Sequence, residues 1–104
     1  MSAFRVVFIT VPREKANQLS RDVIESRLAA CVNIIEKVKS IYRWKGEITT
    51  DEESLLVVKT ATKKVESLIK FVKESHSYEI PEVVSVNIAE GNPDYLDWLD
   101  EETK

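Results

Sequence analysis

The chain has 104 residues, a net charge of −3 and a sequence pI near 5.2, with 43% hydrophobic and 32% charged residues. That is enough for one domain with one core, read over residues 1–104, and the balance is that of a folded chain rather than a disordered one. A mildly acidic surface argues against nucleic acid or an anionic membrane as partner, while the single cysteine, Cys31, excludes an intrachain disulfide and suits a reducing, cytoplasmic compartment.

Phe4 to Val11 is rich in Val, Ile and Phe and ends at Pro12, which has no N–H to give a ladder; it reads as a buried strand, far too short to cross a membrane. Glu14 to Ala29 sets Ala16, Leu19, Val23 and Leu28 at helical spacing. Cys31 to Trp44 switches to alternation, which predicts a strand with Val32, Ile34, Val38, Tyr42 and Trp44 on one face. Lys45-Gly46 suits a tight turn, and Ile48 to Thr60 returns as a second strand ending in Leu55-Leu56-Val57-Val58. Thr62 reads as the cap of a helix whose core stripe is Val65, Leu68, Ile69 and Val72. Glu82 to Ala89 follows as a strand with Val84, Val86 and Ile88 on one face. Asn92-Pro93-Asp94 then offers a cap, a first-turn proline and a helix-start acid for a short C-terminal helix with Tyr95, Trp98 and Leu99 on one side. The order β-α-β-β-α-β-α predicts an α+β, ferredoxin-like fold: an antiparallel sheet with helices on one face and a long central hairpin.

The hairpin is too long for its own domain. Each central strand spans about 13 residues, or about 43 Å at 3.3 Å per residue. The helices that cover the sheet reach only about 23 Å at 1.5 Å per residue. About half of the hairpin therefore projects past them, carrying Ile41, Tyr42, Trp44 and Ile48. A closed homo-oligomer, in which each hairpin joins a neighbour's sheet, gives that surface cover. The alternative is a hairpin that bulges back over its own sheet.

Several segments carry a family resemblance. Arg27-Leu28-Ala29-Ala30-Cys31-Val32-Asn33 passes from helix to strand, and Ser40-Ile41-Tyr42-Arg43-Trp44-Lys45-Gly46-Glu47-Ile48 forms the hairpin tip. Lys59-Thr60, His76-Ser77-Tyr78-Glu79-Ile80-Pro81-Glu82 and Gly91-Asn92-Pro93-Asp94-Tyr95-Leu96-Asp97-Trp98-Leu99 follow in order. Together these resemble the CutA family of divalent-cation-tolerance proteins across essentially the whole chain. The resemblance implies a homotrimer built through the hairpin, and a link to copper and other divalent cations, weakly bound. At the level of assembly it also implies a likeness to PII signalling trimers, which bind effectors between subunits. Where relatives implicated in copper binding carry a first-strand cysteine and paired histidines, this chain has Ile9 and Ser75-His76.

His76, the only histidine, reads either as a copper ligand or as a helix C-terminal residue engaging carbonyls. Cys31 reads as a small buried hydrophobe with nothing basic beside it to activate the thiol. Asp51-Glu52-Glu53 reads as a solvated edge, with Glu53, opposite in direction to Glu52, facing an intersubunit cleft. Lys59 ends an apolar run and needs an acid or a bound anion. Lys59, Tyr78, Trp44, Trp98 and Glu53 form the candidate cleft, for interface packing or for a small ligand or protein partner. No Ser/His/Asp set, HExxH or CxxC occurs, and Pro12-Arg13 enters a helix without the glycine-rich loop of a phosphate cradle, so an enzyme is not predicted.

Overall fold

In β1 (Phe4–Val11) every second residue points to one side, and Val7, Ile9 and Val11 are buried there to 2% exposure or less. The computed structural model describes residues 3–104. β1 is central: it pairs antiparallel with β3 (Glu47–Ala61) on one side and with β4 (Val83–Asn87) on the other. β2 (Cys31–Trp44) pairs with β3 and completes the order β2-β3-β1-β4, the ferredoxin-like arrangement. A one-turn 3-10 helix, Arg13–Lys15, leads into α1 (Ala16–Glu25), and a second, Thr62–Lys64, leads into α2 (Val65–Ser75). α1 and α2 bury Ala16, Leu19, Val23, Leu68 and Val72 in one cluster with Val7, Ile9, Val11, Leu56 and Val58. Each of the Val, Leu and Ile side chains so removed from water stabilises the fold by roughly 1.5–3 kcal/mol.

Three boundaries differ from the sequence pattern. α1 stops at Glu25 rather than Ala29, because Arg27 takes a left-handed conformation (φ 58°) and closes the helix: its N–H donates to Ile24 O and that of Leu28 to Val23 O. Leu28 still packs on the core, from beyond the helix end. Thr62 does not cap α2. It is the first residue of the 3-10 turn, with Ala61 at the cap position, and its N–H donates to Ala3 O at 2.8 Å. β4 is shorter than Glu82–Ala89, and its shared face of Val84 and Val86 points away from the helices, leaving these residues 51% and 47% exposed. The C-terminal helix α3 (Pro93–Glu102) follows the predicted start: the Asn92 side chain accepts from the Asp94 N–H, and Pro93 occupies the first turn. Leu99 is its buried residue, whereas Tyr95 and Trp98 stay about two-fifths exposed.

The largest difference lies within β2. Ile34 pairs with Leu56 and Ile35 with Leu55, but the next pair is Val38 with Glu53, so Glu36 and Lys37 together stand opposite Ser54. This is a β-bulge, closed by the Ser54 hydroxyl donating to Glu36 O at 2.7 Å. The extra residue reverses the alternation. Val32 and Ile34 face the helices, whereas Val38, Tyr42 and Trp44 share the opposite face with Ile35 and Glu53; the five do not lie on one face as expected.

β2 and β3 run for 14 and 15 residues. The β1–β3 register ends at Val11–Ser54, so Glu47–Glu53 have β2 on one side only. The hairpin thus leaves the sheet as a two-stranded ribbon, and the molecule measures 44 Å along its longest axis. Lys45 (φ 49°) and Gly46 (φ 82°) turn the chain at its tip, both with the positive φ that a type I′ hairpin turn requires. Ile41 and Ile48 near that tip are 66% and 71% exposed.

Candidate functional site

The sheet face away from the helices carries Val6, Phe8 and Thr10 of β1 beside Leu55 and Val57 of β3. Where the ribbon leaves this face, the Tyr78–Glu82 segment rises opposite it and a cavity of about 750 Å³ opens between them. Thr10, Tyr42, Trp44, Glu53, Tyr78 and Ile80 form its apolar and aromatic walls and its floor, with Asp51, Glu79 and Glu82 adding further carboxylates. The bulge puts Tyr42 and Trp44 here, since without it they would point to the helix side.

Glu53 is only 5% exposed, and its Oε1 accepts from the Tyr78 hydroxyl at 2.8 Å. Burial, with the Glu53 carboxylate next, pushes the Tyr78 phenol well above its ordinary range. The Tyr42 hydroxyl donates to Asp51 Oδ2, and that bond raises the Tyr42 phenol in the same direction. At the rim the Lys45 ammonium lies 5.7 Å from the centre of the Trp44 ring and 3.9 Å from Glu79 Oε2.

His76 caps the end of α2 and reaches the first strand rather than the helix carbonyls. Its Nε2 donates to Thr10 O at 2.7 Å, while Nδ1 accepts from the Tyr78 N–H at 3.1 Å. The two bonds fix the Nε2–H tautomer and leave no ring nitrogen with a free lone pair. The ring packs 4.4 Å from that of Tyr78, so His76 positions Tyr78 from behind the cleft. Among the described residues no group of three or more His, Cys, Asp or Glu side chains converges to hold a metal ion. One chain by itself does not fit a resident cation.

The five residues grouped from the sequence therefore divide. Trp44, Glu53 and Tyr78 meet in the cleft. Lys59 lies six residues along β3 from Glu53, about 20 Å at 3.3 Å per residue. There the Cys31–Lys59 pairing brings its Nζ against Asn33 Oδ1 and within 3.9 Å of Cys31 Sγ. A basic group does stand beside Cys31, contrary to the sequence expectation, because strand register rather than chain neighbourhood supplies it. Burial, and then the adjacent Cys31, raise the Tyr95 phenol at this same place. Trp98 belongs to α3, 5.6 Å from the Tyr95 ring. Sequence reasoning missed Tyr42, Asp51, Glu79, Ile80 and Glu82 as cleft residues. Their common signal is position at the two ends of the ribbon–loop gap, which only the bulge and the register define.

The CutA1 divalent ion tolerance family model matches residues 5–102. A Thermus thermophilus protein named divalent-cation tolerance protein CutA is 52% identical over 99 residues, covering 94% of this chain and 96% of that one. The solved Thermus thermophilus structure superposes with a TM-score of 0.94 at 51% identity, covering 97% of this chain and 99% of the other. A structure from Archaeoglobus fulgidus, described as a periplasmic divalent cation tolerance protein, gives 0.94 at 35% identity, with 97% and 99% covered. One from Nostoc, described as a PII-like protein, gives 0.91 at 32% identity, with 96% and 97% covered.

Proposed function

The chain belongs to the family of CutA1 divalent ion tolerance proteins, and from that premise we propose that it acts as a homotrimer in the response to divalent metal ions, copper foremost. The observation behind the assembly is the ribbon: Glu47–Glu53 have a strand on one side only, and Ile41 and Ile48 are mostly exposed. A neighbouring sheet edge would pair the first and cover the second. The test is the mass in solution at micromolar concentration. Three chains of 11.9 kDa each are expected, and a well-behaved species of single-chain mass would overturn the reading.

For the metal, His76 is the residue in question. Copper can take Nδ1 only by displacing the Tyr78 N–H, so contact is weak and reversible unless further ligands come from other subunits. Calorimetric titration with copper should give weaker binding in His76→Ala than in the parent; equal affinity removes His76 as a ligand. The family is named for ion tolerance rather than for a reaction, and we assign the chain no catalytic step.

The second reading, a PII-like trimeric sensor or scaffold, is favoured by the cleft itself. A cavity of about 750 Å³ with Trp44, Glu53 and Tyr78 in its walls has the size and mixed lining of a small-ligand site. In an assembly, Lys59 and Trp98 of a neighbouring copy would be the residues to complete it. Native mass spectrometry of protein taken from cells would then show a retained small molecule. We place the chain in the cytoplasm on the strength of its lone cysteine. Among the described residues no helix is long and apolar enough to cross a membrane.

A further inference from the structure

We propose that Glu53 in the cleft of one copy pairs with Lys59 of the next copy, so that each cleft is completed by a residue its own chain cannot bring there. The pairing rests on the homotrimer proposed above and names the contact that joins its copies. Glu53 and Lys59 are complementary charges left over within one chain. The ion pairs among the described residues are Arg27–Glu102, Lys37–Glu52, Lys45–Glu79 and Lys104–Glu101, and neither residue takes part in one. The Glu53 carboxylate, 5% exposed, accepts from a neutral phenol, Tyr78. The Lys59 ammonium meets the Asn33 amide oxygen and the Cys31 sulfur instead of an acid. Either charge is costly to withdraw from water alone, and each offsets the cost of the other.

Strand geometry keeps the two apart within a copy. The bulge lies on β2, so β3 keeps its alternation from Glu53 to Lys59, and both side chains point to the face that α1 and α2 leave bare. Six residues hold them about 20 Å apart at 3.3 Å per residue, too far for the side chains to meet. Leu55 and Val57 of β3 lie between them on that face, with Phe8 beside Val57 on β1.

The two ends of this stretch differ in kind. Glu53 sits where the ribbon leaves the sheet, among Tyr42, Trp44 and Tyr78. Lys59 sits beside α3, whose Tyr95 contacts Cys31 and stacks 5.6 Å from Trp98, both rings about two-fifths exposed. A copy that delivers Lys59 to a neighbour's cleft therefore brings apolar surface to cover the aromatic wall there. An acid end that receives and a base end that delivers make a head-to-tail contact. Contacts of that kind satisfy every copy only when they close into a ring. A homotrimer then holds three clefts, each with its acid from one copy and its base from another.

The experiment uses the full chain and reverses the two charges singly and together, with dissociation of the assembly followed by sedimentation at a fixed urea concentration. Lys59→Glu and Glu53→Lys should each raise the dissociation constant about tenfold or more. The double variant, which exchanges the charges, should return it to within about threefold of the parent. Glu66→Lys, on α2, should leave it unchanged. A double variant no better than the singles overturns the pairing. Where a reversal does not fold, Glu53→Gln and Lys59→Met carry the same test. If the two residues touch, their double variant is about as weak as the weaker single, and losses that multiply overturn the contact. The assembly and the pairing fail separately. A parent of single-chain mass sinks both, whereas a parent of three-chain mass whose dissociation ignores Lys59→Glu keeps the trimer and sinks the pairing.

Discussion

Leu56 and Ile48 lie eight residues apart on the same strand, yet one is 1% exposed and the other 71%. Up to Ser54, β3 has a strand on each side and two helices over one face. Beyond it, the same strand has one neighbour and no helix. The covered half holds itself together through side-chain packing, whereas the ribbon keeps its form through one ladder and a tip turn and presents its apolar residues outward. The difference teaches that one strand holds both a packed stretch and an uncovered one; under the assembly proposed above, stability and association would fall to these separate stretches and each could be altered without the other.

Three substitutions would sharpen or break that division. The largest effect belongs to Leu56→Ala, which empties a fully packed site in the covered half and should cost about 2–5 kcal/mol in denaturant unfolding. A loss below about 1 kcal/mol would mean that the helix-covered core does not carry the stability. Next is Ile48→Ser. It touches no core packing, so its unfolding midpoint should fall only through weakened assembly and should become steeply dependent on protein concentration. A midpoint that drops equally at every concentration would show the ribbon stabilising its own chain. The smallest effect is Tyr78→Phe. Burial and the Glu53 carboxylate hold the Tyr78 phenol above its ordinary 10.0, so the folded chain keeps a proton that the unfolded chain releases. The stability linked to that proton is complete below pH 10 and is lost as pH rises beyond it. The variant should show a flatter alkaline decline, and identical slopes would place Tyr78 in ordinary solvent.

Much of the fold was legible because burial leaves periodic marks. Val7, Ile9 and Val11 alternate, Leu19 and Val23 fall on one helix face, and Asn92-Pro93-Asp94 announces α3. What escaped reading depends on single backbone events with no residue signature. Arg27 ends α1 in a conformation that glycine usually marks, and it is held from outside by a bond from its guanidinium to Glu102 O at 3.3 Å. The approach of Lys59 to Cys31 follows from strand register, which binds residues 28 apart. Of the five residues grouped for an intersubunit cleft, Trp44, Glu53 and Tyr78 meet within one chain, whereas Lys59 and Trp98 lie elsewhere on it. Charge and aromaticity identify candidates, whereas only pairing decides which of them meet.

The two residues opposite Ser54 act on the rest of β2 as an inserted letter acts on a reading frame. Every side chain from Val38 to Trp44 changes parity, so the aromatic character of the cleft is encoded by a count of residues rather than by any residue at the bulge. Deleting Glu36 would leave Tyr42 and Trp44 in the chain and turn them out of the cavity, with Ile41 and Arg43 rotated to the side they vacate. An alignment that slides one position across this stretch would match identical letters while comparing opposite surfaces.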